Sequence, residues 1–118
     1  MTNKGQLRIH DYIEHILIAI DRINQYTSGM TLDDFLLDLK TQDAVIRNFE
    51  NIGEASRNIA RNYPEFSDAN SQVPWGSAYE MRNVLAHGYF KVDLDIVWTT
   101  IQKDLSDLRA KILSLKTN

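Results

Sequence analysis

The sequence predicts an all-α protein: an up-and-down bundle of about four main helices plus a short one. Three observations carry that expectation. Apolar residues recur at spacings of three and four nearly from end to end. No segment alternates apolar and polar residues as a strand does. Turn-forming residues gather at a few points only. The 118 residues are enough for one domain with its own core, so residues 1–118 are read as a single unit.

The elements follow in order. Ile9, Ile13, Ile16, Ile20 and Ile23 mark the buried face of a first helix, which "TSGM" ends at residues 27–30. Thr31 then reads as an N-cap, with Asp33 and Asp34 in the favourable first turn of a short helix. A long helix is expected from about Thr41–Asp43, burying Val45, Phe49, Ile52, Ser56 and Ile59. Its other face carries Arg47, Glu50, Glu54, Arg57 and Arg61. Pro64 is expected to stop it, and "PEFSDANSQVP" reads as a loop. Trp75 to His87 forms the next helix, with Gly88 placed to terminate it. Asp93 caps a last helix, whose row is Leu94, Val97, Ile101, Leu105, Leu108, Ile112 and Leu115. Such long amphipathic rows exceed what one small bundle covers, so a homodimer is expected.

Composition excludes several classes. With no cysteine there is no disulfide, thiolate metal site or thiol nucleophile. There is no signal-peptide hydrophobic region and no apolar run long enough to span a bilayer, so the expected location is the cytoplasm, away from membranes. The formal net charge of −3 argues against holding nucleic acid by bulk electrostatics; any phosphate site must be a local patch.

The chemistry concentrates in "EMRNVLAHGYF", residues 80–90. Asn83 and His87 are four apart and share a helix face. Arg82 stands about 140° round the axis from His87, within reach of a long side chain. A histidine in a last helical turn feels the negative end of the dipole, which favours its protonated form. An arginine can grip two phosphate oxygens while the histidine exchanges a proton, a pair suited to phosphodiester cleavage. In RNA the ribose 2′-hydroxyl is an internal nucleophile, so neither metal nor cofactor is expected. The same spacing also serves a helix cap at His87 and an ion pair from Arg82 to Glu54 or Glu80.

These residues do not stand alone. Arg82-Asn83-x-x-x-His87-x-Tyr89, "NIGEA" at 51–55, "PW" at 74–75 and "VDLDIVW" at 92–98 occur in one order. Over residues 7–115 the chain resembles HepT-type toxins, minimal members of the HEPN superfamily. The resemblance departs at Glu80, where relatives often have glycine, at Ser106, where they often have proline, and in a longer loop before Pro74. It implies a HEPN-like homodimer and a metal-independent ribonuclease, with Arg82, Asn83 and His87 catalytic and Glu54 supporting Arg82. It further implies the toxin half of a type VII toxin–antitoxin pair that cleaves RNA, transfer RNA among the candidates. The implied partner is an MntA-like nucleotidyltransferase antitoxin that neutralises the toxin by AMPylating Tyr89. The competing expectation is a catalytically silent helical module that only dimerises and binds a nucleotidyltransferase.

Other residues have plainer readings. His10 and His15 are five apart, not the four a helical metal pair prefers, and are expected at the surface. Trp75 and Trp98 fall on apolar faces and are expected in the core or an interface. Gly53 in mid-helix implies a close helix crossing.

Overall fold

A computed structural model of the chain describes the backbone of residues 4–86 and 93–115 and the side chains of residues 8–80 and 93–115. Among these residues every regular element is helical: α1 (Lys4–Thr27), α2 (Leu32–Leu37), α3 (Leu39–Asn62), α4 (Pro64–Ala69), α5 (Trp75–Ala86), α6 (Leu94–Lys103) and α7 (Leu105–Ser114). The body measures 50 × 28 × 21 Å, elongated along its two 24-residue helices. Long α3 is the axis of the molecule. It packs against α1 and against α5, while α7 returns to α1 and α6 to α2.

Each apolar row becomes a wall of the core. Ile13, Ile16, Ile20 and Ile23 of α1 are at most 1% exposed, as are Val45, Phe49, Ile52, Ser56 and Ile59 of α3. Val97, Ile101, Leu105, Leu108, Ile112 and Leu115 are buried too. Burying a large aliphatic or aromatic side chain is worth about 1.5–3 kcal/mol, so these rows supply most of the driving force. Trp75 is buried, Trp98 packs on the core with its ring 5.4 Å from Phe35, and His10 and His15 are exposed. Gly53 lies buried in the helix that serves both α1 and α5.

The helix ends have local causes. Gly29 takes φ +77°, the left-handed conformation that closes α1 without a Cβ penalty. Thr31 and Asp34 form a reciprocal capping box for α2. The buried Gln42 amide donates to the carbonyls of Phe35 (2.9 Å) and Leu36 (3.1 Å), satisfying the last turn of α2 from the side of α3. The Asp93 carboxylate caps α6 by accepting from the amides of Asp95 and Ile96.

Three boundaries differ from expectation. The long helix starts at Leu39, because the Asp38 carboxylate already caps it by accepting from the Thr41 amide at 3.1 Å. Part of the segment read as a loop is helix α4. A proline that ends one helix is also well suited to the first position of another, and Pro64 does both. Phe66 then packs near Trp75, with ring centres 6.4 Å apart. The last helix is interrupted at Asp104, yet that residue keeps right-handed helical dihedrals, so the buried row runs on from α6 into α7. Arg109 of α7 grips Asp21 of α1 at 2.7 Å, an exposed pair that registers the two helices more than it stabilises them.

Several large apolar side chains stay at the surface among the described residues. Leu37 and Leu39, at the corner of α2 and α3, are 85% and 72% exposed, and Ile18 of α1 is 44% exposed. No helix among the described residues is long and apolar enough to cross a membrane.

Candidate functional site

Helix α5 carries the first half of the motif. Its start is held by Pro74, whose carbonyl accepts from the Ala78 amide at 2.9 Å, and by the Trp75 indole, which donates to the Asn70 carbonyl at 3.2 Å. Trp75 and Ala78 are its buried positions, and the helix packs against α3. Arg82 is seven residues after Trp75 and four after Ala78, so its Cα lies on the same stripe of the helix. Asn83 is the next position, and both belong to the last two turns of α5. The side chains of Arg82 and Asn83 lie outside the described residues, as do His87, Gly88 and Tyr89 altogether.

The supporting helix is described in full. Glu54 is half-buried on α3 and is not an unpartnered carboxylate. Arg57 is half-buried, whereas Arg47, Glu50 and Arg61 are exposed. The charged stripe therefore runs from open solvent at its two ends to partial cover around Glu54 and Arg57. Among the described residues no group of three His, Asp or Glu side chains is placed to hold a metal ion.

A second feature stands beside this one, and the motif reading missed it. A groove of about 370 Å³ runs between α1 and α3. Ala19 and Ala55 are its small lining residues. Its polar lining is Tyr12, His15 and Arg22 from α1 and Asn48, Asn51, Glu54 and Asn58 from α3. Asn48 is 5% exposed; its Nδ2 donates to the Ala44 carbonyl at 2.8 Å, while its Oδ1 is buried with no partner among the described residues. The one signal in the sequence was the spacing of Asn51 and Asn58, seven apart and so on one face of α3.

With the fold and motif placed, comparison with known proteins becomes informative. The family model described as ribonuclease HepT-like matches residues 16–115. This chain belongs to the HepT-like ribonuclease family. Its fold is accordingly HEPN-like as well as all-α. Within the family, a "Probable ribonuclease HepT" of Thermococcus cleftensis is 42% identical over 106 residues, covering 90% of this chain and 94% of that one. A "Putative RNase" of Caldanaerobacter subterraneus is 36% identical over 101 residues, covering 86% and 88%. A "Gamma-glutamylcyclotransferase and putative RNase" of Methanocaldococcus jannaschii is 41% identical over 104 residues, but these span only 46% of that longer protein. No solved structure matches the chain. The HepT-like assignment agrees with the resemblance drawn from the motif and from "NIGEA".

Proposed function

We propose that this HepT-like protein is a metal-independent endoribonuclease whose site is completed by a homodimer. The observation that carries the reading is the motif Arg82-Asn83-x-x-x-His87-x-Tyr89 in a chain of a ribonuclease family. The structure supports it by setting the first two motif residues on a helix braced against α3, which bears Glu54.

The chemistry is then a transesterification. The ribose 2′-hydroxyl gives its proton to one His87 imidazole as O2′ bonds to phosphorus. The bond from phosphorus to O5′ breaks, and O5′ takes a proton from the His87 imidazole of the partner subunit. Arg82 holds the non-bridging oxygens as charge builds on them, and Asn83 orients the phosphate. Two copies are needed because one motif supplies one titratable base.

The same reading makes the protein the toxin of a type VII toxin–antitoxin pair, with RNA, transfer RNA included, as substrate. Its antitoxin is an MntA-like nucleotidyltransferase that transfers AMP from ATP to the Tyr89 oxygen, with pyrophosphate leaving and the phenol proton released. The adduct adds a phosphate beside Arg82 and His87, competes for the arginine and closes the site to RNA.

The test is purified protein with RNA, beside Arg82→Ala and His87→Ala. Cleavage leaving 2′,3′-cyclic phosphate ends, lost by at least about a hundredfold in both variants, is expected. Uncut RNA with the unmodified protein refutes the enzyme and favours a silent nucleotidyltransferase partner. For regulation, intact mass after co-expression with the antitoxin must rise by whole AMP units and fail to rise in Tyr89→Phe.

A further inference from the structure

We propose that the groove between α1 and α3 is a subsite for single-stranded RNA that favours adenine over uracil, holding a base away from the scissile bond. The inference rests on the ribonuclease reading for its substrate class and goes beyond it by placing a second contact.

The first argument is a missing hydrogen bond. The Asn48 amide is oriented by its bond to the Ala44 carbonyl, which commits Nδ2 and leaves Oδ1 as a buried acceptor without a donor. A buried acceptor left unpaired is costly, so an N–H that enters the groove and reaches Oδ1 adds a bond while Nδ2 keeps its own. An exocyclic amine supplies that donor. Asn51 and Asn58, half-buried on the same wall, add amides that both donate and accept. Adenine carries such an amine beside a ring-nitrogen acceptor, as cytosine does, whereas uracil has no exocyclic amine, so the groove favours adenine over uracil.

The second argument is the opposite wall. Tyr12 and His15 stand edge-on, with ring centres 6.3 Å apart and planes at 79°. That arrangement leaves at least one face of each ring uncovered by the other. Unstacked bases of single-stranded RNA are commonly taken up on such rings. Arg22, on the same helix, makes no ion pair with a described residue and can meet the phosphate next to a bound base.

Charge and size agree with this assignment. A chain of net charge −3 lacks bulk attraction for phosphates, so base contacts beside a local arginine contribute to affinity. The groove's volume of about 370 Å³ falls in the range typical of small-ligand sites, about 300–1,000 Å³. Glu54, which lines the groove, belongs to α3, and α3 also packs against the motif helix, so one strand can engage both places.

The experiment uses the full chain carrying His87→Ala, so that RNA is not consumed, with fluorescent short oligoadenylate, oligouridylate and free AMP as probes. Oligoadenylate is expected to bind about tenfold tighter than oligouridylate. AMP is expected to bind far more weakly than the oligomer. Asn51→Ala and Asn58→Ala should bring oligoadenylate down to the oligouridylate level. Arg22→Gln should weaken both oligomers alike and flatten their salt dependence. Circular dichroism melts establish that each variant is folded. Equal affinity for both oligomers overturns the proposal. So do asparagine variants that bind like the parent, AMP binding as well as the oligomer, or variants that change only the monomer–dimer balance. Cleavage by the His87 protein is measured in parallel. Cutting that ignores the groove variants defeats the subsite alone. Binding that favours oligoadenylate over oligouridylate, without cutting, defeats the nuclease reading alone. Neither binding nor cutting defeats both.

Discussion

Ser56→Ala should make this protein more stable, although it removes a polar group from a helix in the middle of the fold. Ser56 is 0% exposed and lies in the row of Val45, Phe49, Ile52 and Ile59. Its hydroxyl has no hydrogen-bond partner among the described residues. By contrast Thr27 and Thr100, also on helices, donate back to the carbonyls of Ile23 and Ile96, each at 2.8 Å. Desolvating an unpaired hydroxyl costs about 1–3 kcal/mol. Alanine removes that cost, improves helix propensity and loses only the contacts of one oxygen atom. A net gain of about 1 kcal/mol follows. For a domain of 118 residues the unfolding entropy is about 0.25 kcal/mol/K, so the melting temperature should rise by about 4 °C. Calorimetry or a circular dichroism melt at fixed protein concentration reads it, the concentration being held because association shifts the midpoint. A fall of more than about 2 °C refutes the reasoning, since the hydroxyl must then have a native partner whose loss outweighs its desolvation.

Other perturbations have equally definite outcomes. Phe35→Ala, at a side chain with no exposed surface and a ring contact to Trp98, should cost about 3–5 kcal/mol and change tryptophan fluorescence; a melt unchanged within error counts against the α2–α6 contact. Thr31→Ala removes one arm of the capping box and should cost about 1 kcal/mol in urea unfolding, with Thr31→Ser restoring most of it. The Asp38 carboxylate is held below its usual 3.8, chiefly by accepting from the Thr41 backbone amide and then by the Thr41 side chain. A lowered folded pKa means stability that is present above the unfolded value and lost as pH falls through the folded one. Asp38→Asn should therefore melt lower than the parent at neutral pH, with the gap closing below about pH 3.8; a gap that stays constant into acid contradicts the cap.

Much of the helical framework is legible in the amino-acid order because a helix is a local object. The spacing of Ile13, Ile16, Ile20 and Ile23 or of Val45, Phe49, Ile52 and Ile59 names the buried face before any partner helix is known. Caps at Thr31 and Asp93 are equally local, needing only a side-chain oxygen and the next turn's amides. The loop misread before Pro74 has a tertiary cause. Pro64 carries the same residue preference at the end of one helix and the start of another, and only the seating of Phe66 by Trp75 decides that α4 forms. Ser56 reads correctly as a polar member of a buried row, but periodicity says nothing about whether its hydroxyl finds a partner.

The candidate site divides along the same line. Arg82, Asn83, His87 and Tyr89 are recognisable because they sit within eight residues of one another in a fixed pattern, and the family match agrees with the family that pattern pointed to. The α1–α3 groove draws on Tyr12 and Asn58, far apart in sequence, and the spacing of Asn51 and Asn58 marks only one of its walls. The order of residues alone determines helix type, the core faces and the family. Tertiary structure alone decides which faces meet, as in the pairing of Asp21 with Arg109 and of Gln42 with the end of α2. The physical reason is range: backbone hydrogen bonds and side-chain periodicity act over a few residues, whereas grooves, unpaired acceptors and cross-helix contacts exist only once separate helices share a surface.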